Sequence, residues 1–207
     1  MERIGCELHG QSCLEVEDII KPKKQIACTR SFGHPVTELS DLSEAVTEFA
    51  SRAAAKVRKQ HSQASQVMVF IRTSPFRDDE QYSRSVTMPL RRPSADTAVI
   101  VGAALAGLRA IYRPGFKLAK AGVMLLDLQS DKVQQGELDL QVEDGAEIED
   151  RSRLMTTLDD LNQRYGRGTV LMASAGLAGD RRAWAMKQER RTPAYTTCQH
   201  DMPVARA

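Results

Sequence analysis

Three successive runs decide the fold: QIACTRSF (25–32), SDLSEAVTEFASRAAAKVRKQ (40–60) and SQVMVFIRT (65–73). Their hydrophobic period goes from two to 3.6 and back to two. In the first run Ile26, Cys28 and Phe32 fall on one face of a strand, with Arg30 interrupting, while Gln25, Ala27, Thr29 and Ser31 fall on the other. Lys21, Lys23 and Lys24 lead into this strand, and Gly33 closes it in a turn. In the second run Leu42, Val46, Phe49, Ala50, Ala53 and Val57 recur at helical spacing, with Ser40 placed to cap the start. The third run is apolar on both faces, which suits a central strand.

The pattern then runs in reverse. Tyr82 to Leu90 alternates, with Val86, Met88 and Leu90 on one side and Ser83, Ser85 and Thr87 on the other. Asp96 is placed to cap a second helix whose stripe is Ile100, Ala104, Leu108 and Ile111, and Pro114-Gly115 stops it. Lys117 to Leu128 reads as a fourth strand. The order predicts an α+β domain, a split βαββαβ with two helices on one face of a four-stranded sheet. The other face stays open, and Thr29, Ser31, Ser83, Ser85 and Thr87 belong on it. Small hydroxyls and backbone amides suit phosphate oxygens. The same residues also suit a face that merely meets water. An RNA-binding module of this strand order would want aromatic residues on its two central strands. The third strand, taken as one of them, offers Ser and Thr.

The chain has 207 residues, room for one domain and a smaller annex. Its net charge of +2 is small, but the charge is segregated. Residues 21–60 hold eight Lys/Arg against four Asp/Glu, residues 137–150 hold seven acids and no base, and residues 181–191 hold five bases and one acid. The four cysteines, Cys6, Cys13, Cys28 and Cys198, have no metal or redox spacing and read as scattered reduced thiols. The first residues, MERIGCELHG, lack a signal pattern. The longest apolar run, Ala98 to Leu108, is well short of the ~20 residues that span a bilayer. The expectation is a cytoplasmic protein with no membrane contact.

Catalytic patterns do not emerge. No phosphate-binding glycine loop or GxSxG occurs, and His9, His34, His61 and His200 sit in separate segments. Asp78-Asp79-Glu80 falls in a loop and reads as a solvated turn rather than a metal site. Asp159-Asp160 reads as the exposed side of a helix. No cofactor, metal or catalytic residue is therefore expected.

Beyond Leu128 the texture changes. Gln129 to Asp150 reads as an acidic linker. Ser152 can cap a further helix with Leu154, Leu158, Leu161 and Tyr165 on one stripe, ended by Gly166 and Gly168. Thr169 to Ser174 can form a short strand, giving a small α/β annex. Trp184 is expected to pack onto the Leu154/Leu158/Leu161 stripe.

QIACTRSFG, VMVFIRTSPF (67–76) and YRPGFKLAKAGVMLLDL (112–128), in this order and spacing, resemble the UmuC proteins, the Y-family subunits of the error-prone DNA polymerase V. Trp184 to Lys187 and Arg191 to Thr197 resemble the C-terminal domain of the same proteins. The resemblance covers nearly the whole chain but only the last part of the family pattern. It divides the chain into a thumb-exit segment (1–24), a little-finger DNA-binding domain (25–128), an acidic linker (129–150) and a C-terminal domain (151–207). No segment matches the acidic palm motifs, which implies a piece that does not polymerise DNA alone.

Several roles follow from the resemblance. The little finger of Y-family enzymes lays its open sheet along the major groove of primer-template DNA and contacts mainly backbone. Matching positions are Thr29, Arg30, Ser31, Ser83, Arg84, Ser85, Lys117 and Lys120. Phosphates are unaltered by base damage, so a lesion-bypass enzyme gains by holding them. The implied setting is DNA repair, SOS mutagenesis and translesion synthesis. The implied partners of the C-terminal end are the processed UmuD dimer and RecA. Family members also carry a sliding-clamp peptide, Gln-Leu-x-Leu-Phe, where this chain has Glu137-Leu138-Asp139-Leu140-Gln141. Leu138 and Leu140 are kept, but the anchoring Phe is Gln, so a plain acidic linker is the favoured reading. The alternatives are an interaction module competing with intact UmuC for UmuD, RecA or the clamp, and a gene remnant without a selected role.

Overall fold

The computed structural model describes residues 2–13, 22–133 and 151–176, together with 182, 184–186, 192–193, 195, 197–198, 200 and 202. The elements are α1 (Glu2–Leu8), β1 (Ile26–Val36), α2 (Leu39–Lys59), β2 (Ser62–Thr73), β3 (Ser83–Ser94), α3 (Thr97–Ile111), β4 (Leu118–Ser130) and α4 (Ser152–Tyr165). A short 3-10 turn, Ala173–Ala175, follows α4. The four strands form one antiparallel sheet in the order β1-β4-β2-β3. Each βαβ unit therefore spans an intervening strand: α2 joins β1 to β2 across β4, and α3 joins β3 to β4 across β2. This is the split βαββαβ α+β architecture expected from the sequence.

Local chemistry sets the element ends. Asp96 caps α3, its carboxylate accepting from the backbone N–H of Ala98 (2.6 Å) and Val99 (3.4 Å). The cap of α2 differs from expectation. Glu38 occupies the N-cap without a side-chain bond, and Ser40 lies within the first turn. Lys56, Arg58 and Lys59 crowd the last turn of α2, where cations suit the exposed carbonyls. His61, in the left-handed region at φ 53°, turns the chain directly into β2. β1 also runs further than expected, through Gly33 to Val36, with an irregular register after Ser31.

The core lies between the helices and one face of the sheet. Alternation along the strands sets cross-strand rows on that face: Ile26, Leu125, Val67 and Met88; then Cys28, Val123, Val69 and Val86; then Arg30, Ala121, Ile71 and Arg84. Leu42, Val46, Phe49 and Val57 of α2 and Ile100, Ala104 and Leu108 of α3 cover them and are almost fully buried. Gly107 lets α3 approach, since a Cβ there would lie 3.1 Å from Val86 and Met88 side-chain atoms.

Strand position departs from the sequence reading in one respect. β2 is central as expected, but its partner at the centre is β4, and β3 is an edge. Pro89 and Pro93 of β3 and Pro35 of β1 have no amide hydrogen to give a neighbour, which confines both strands to the rim.

The C-terminal part docks on the helical side. Arg58 holds Asp159 of α4 through two bonds (2.6 and 2.7 Å) and also donates to the Ala95 carbonyl and the Thr97 hydroxyl. Asp159 is thus an anchor rather than a solvated acid. Met155 is the one buried residue of α4. Trp184 packs edge-on against Phe49 at 5.8 Å, not on the α4 stripe, and the Arg182 guanidinium sits over its ring at 4.9 Å. Arg182 also pairs with the buried Glu48, which Arg52 approaches from the other side. The amide of Gly33 donates to the Ala185 carbonyl (3.0 Å), so the tail covers part of the β1 edge. Leu154, Leu161 and Tyr165 of α4 remain exposed. The strand expected over Thr169 to Ser174 is instead a turn leading into the 3-10 element. There Val170 exchanges two hydrogen bonds with the Asn162 side chain.

Candidate nucleic-acid interface

The sheet face away from the helices is assembled from the alternate residues of the same strands. Its rows are Ala27, Met124, Met68 and Thr87; then Thr29, Gly122, Phe70 and Ser85; then Ser31, Lys120, Arg72 and Ser83. Thr29, Ser31, Ser83, Ser85 and Thr87 are exposed there. The centre is apolar and close-packed. Phe70 lies half-buried across the position of Gly122, where an added Cβ would be 2.6 Å from its ring and 2.5 Å from Thr29 Cγ2. Phe70 corrects the sequence argument on aromatic content: a central strand does carry an aromatic ring on the open face.

The third row is cationic. Lys120 and Arg72 are direct cross-strand partners, flanked by the hydroxyls of Ser31 and Ser83. Like charges directly opposite repel in an isolated sheet. Neither residue has an ion-pair partner among the described residues. The arrangement can therefore accept an anion lying along the row, with two guanidinium- or ammonium-borne charges and two hydroxyl donors side by side.

The eight residues singled out from the sequence do not all share this surface. Thr29, Ser31, Ser83, Ser85 and Lys120 are brought together on it. Arg30 and Arg84 alternate to the opposite face, the side the helices cover, in the row with Ala121 and Ile71. Arg84 sits 6.0 Å from the centre of the Tyr82 ring. Lys117 precedes β4 and pairs with Asp79 at 2.8 Å. Strand parity alone separates Arg30 and Arg84 from their neighbours. Arg72 was missed because an apolar run dominated the reading of its strand; the signal was its even position, in phase with Met68 and Phe70. Leu138 and Leu140 lie outside the described residues.

Among the described tail residues Trp184 and Arg182 meet α2 and Ala185 meets Gly33, while Thr29, Ser31, Ser83, Ser85 and Thr87 of the open face stay exposed. Asp78, Asp79 and Glu80 lie in the β2–β3 loop. Among the described residues no group of three or more His, Cys, Asp or Glu is placed to hold a metal ion, and no helix is long and apolar enough to cross a membrane.

Comparison with known proteins adds the following. Residues 23–138 match the model of the impB/mucB/samB family C-terminal domain, and residues 152–205 match a domain of unknown function, DUF4113. The chain is 39% identical to Protein UmuC of Salmonella typhimurium over 203 residues, 98% of this chain and 47% of that protein. It is 39% identical to Protein ImpB of Salmonella typhimurium over the whole chain and 47% of that protein. Against Protein MucB of Escherichia coli it is 37% identical over 99% of this chain and 47% of that protein. The chain thus spans about half the length of these relatives. Among solved structures, the complex of the beta-clamp processivity factor and little finger domain of PolIV aligns with a TM-score of 0.36 and 16% identity. That alignment covers 56% of this chain and 99% of that one.

Proposed function

The chain belongs to the impB/mucB/samB family, and on that premise we propose that its open sheet face grips the sugar-phosphate backbone of duplex DNA as part of a UmuC-like translesion polymerase. The observation that carries this reading is the Arg72–Lys120 pair, two opposed cations flanked by Ser31 and Ser83 on an uncovered face. Thr29 and Ser85 extend the donors to the next row. Contacts of this kind fix position on the duplex and read no sequence. The chain's own contribution is binding rather than polymerisation, in the cytoplasm, during SOS-type repair of damaged DNA.

Affinity for a duplex is expected to fall with salt at a log–log slope of about −0.9 for each phosphate neutralised. The test is fluorescence anisotropy with a random-sequence duplex across a salt series. Substituting Arg72→Ala and Lys120→Ala together is expected to flatten the slope by about 2. A double variant with wild-type affinity and slope sinks the reading.

A second reading concerns the C-terminal segment. The exposed Leu154, Leu161 and Tyr165 of α4 favour a protein partner there. On this reading the processed UmuD dimer or RecA docks on α4, and the chain can compete with intact UmuC for them. Pull-down without DNA, comparing wild type with Leu154→Asp/Leu161→Asp, separates it from DNA binding. The acidic stretch around Leu138 and Leu140 is assigned to a linker rather than to clamp binding.

A further inference from the structure

Phe76 stands at the tip of the β2–β3 loop with 95% of its surface exposed. Phenylalanine is among the residues most often buried, and this one is the most exposed large apolar side chain among the described residues. The loop that presents it is tied down at many points. The Gln81 side-chain amide reaches the carbonyls of Ser74, Arg77 and Asp79, each at 3.0 Å, and its oxygen accepts from the Thr73 hydroxyl at 2.9 Å. The Tyr82 amide donates to that same Thr73 hydroxyl oxygen (3.0 Å). The backbone N–H of Phe76 donates to the Ser74 hydroxyl (3.4 Å), and Lys117 clamps Asp79. At the loop's base Tyr82 stacks on Phe116 at 4.4 Å and donates to the Ile111 carbonyl at 2.6 Å. Such a loop fixes the backbone that presents the ring before any partner arrives, which lowers the ordering cost of binding.

The loop's position says what it meets. It joins Arg72 to Ser83, neighbours at the β3 end of the cationic row, and Arg77 follows Phe76 directly. An aromatic ring beside a line of cations is the pairing that holds single-stranded nucleic acid, where rings stack on bases and cations follow the phosphates. A paired base inside a duplex offers no free face. We propose that Phe76 stacks on an unpaired base where single strand meets the duplex held on the open sheet face. This deepens the DNA reading above and rests on it. It makes the chain a reader of a junction rather than of uniform duplex.

The experiment uses the 207-residue chain with two DNAs, a blunt duplex and the same duplex with a single-stranded overhang carrying 2-aminopurine at its first unpaired position. Wild type is expected to prefer the overhang DNA and to change the 2-aminopurine fluorescence on binding. Phe76→Ala is expected to lose that preference, about fivefold or more in Kd, and the fluorescence change, while blunt-duplex affinity stays as in wild type. Phe76→Trp restores both. The proposal is overturned if wild type shows no preference, or if Phe76→Ala keeps it. Equal weakening of both DNAs by Phe76→Ala also overturns it, because the ring then serves packing or general contact. The Arg72→Ala/Lys120→Ala variant reports separately on the underlying reading, since it is expected to weaken both DNAs alike. Phe76 is solvent-exposed, and an unchanged urea midpoint verifies that its variants fold.

Discussion

Val67, Val69 and Ile71 alternate along β2 with Gln66, Met68, Phe70 and Arg72, and the two sets obey different constraints. The first set is wholly buried under α2 and α3. The second is half-buried or exposed, and it passes from an apolar centre to a cationic end within two residue steps. On the covered side each residue is fixed by the volume left for it. On the uncovered side only Phe70 over Gly122 is fixed in that way; the remaining residues answer to what the face touches. Substitutions on the covered side should therefore register in stability, and those on the uncovered side in binding.

The largest departure from wild type should come from Phe49→Ala. Phe49 is 1% exposed and touches Trp184, so the change opens a cavity and also loosens the tail. A loss of about 3–5 kcal/mol in urea unfolding is expected. Trp184 is the sole tryptophan, so its emission reports tail release directly. A red shift in native buffer, ahead of global unfolding, is the expected sign.

Arg58→Ala comes next. It removes both bonds to Asp159 and those to the Ala95 carbonyl and Thr97 hydroxyl. The expected cost is about 2 kcal/mol, in the range for hydrogen bonds to charged groups. Limited proteolysis should show α4 cut sooner than in wild type, while DNA affinity is unchanged. Reduced DNA affinity in a folded Arg58→Ala protein would break the division between the two sides.

Gly122→Val tests the one crowded point on the open side. The added side chain must displace Phe70 or Thr29, at a cost of about 1–2 kcal/mol from overpacking. This is the one place where a change on the uncovered face should shift the unfolding midpoint clearly.

Most of the fold was legible from period alone. The 2–3.6–2 alternation over residues 25–73, and its repeat through Leu128, carries both βαβ units. Asp96 gave its cap because an aspartate stands just ahead of the stripe that opens at Ile100, and the helix begins at the next residue, Thr97. Strand order was less legible, since periodicity is silent on which strands neighbour each other. The prolines of β3 held that information, because a ring nitrogen cannot donate into a central ladder. The tail was the least legible part. Trp184, Arg182 and Asp159 are held by Phe49, Glu48 and Arg58 respectively, residues far away in sequence whose partners no spacing rule announces. For the candidate site, the hydroxyl residues followed from alternation, and Lys120 from the family resemblance. Arg30 and Arg84 were grouped with them by that resemblance, where strand parity separates them, and the same parity adds Arg72.

The smallest effects belong to the hydroxyls, and they discriminate between kinds of contact. Ser31 and Ser83 flank the Lys120–Arg72 pair, and each can donate one hydrogen bond to a phosphate oxygen without carrying charge. Ser31→Ala or Ser83→Ala should leave stability within about 0.5 kcal/mol, as for other surface changes. Each should weaken duplex binding about two- to fivefold, the equivalent of one ordinary hydrogen bond. Counterion release depends on charge neutralised, so the salt slope of these variants should match wild type, whereas Lys120→Ala alone should flatten it by about 0.9. A serine variant whose slope changed would mean that the row had rearranged and that its cations no longer met the same phosphates. A lysine variant with an unchanged slope would mean that Lys120 never met one.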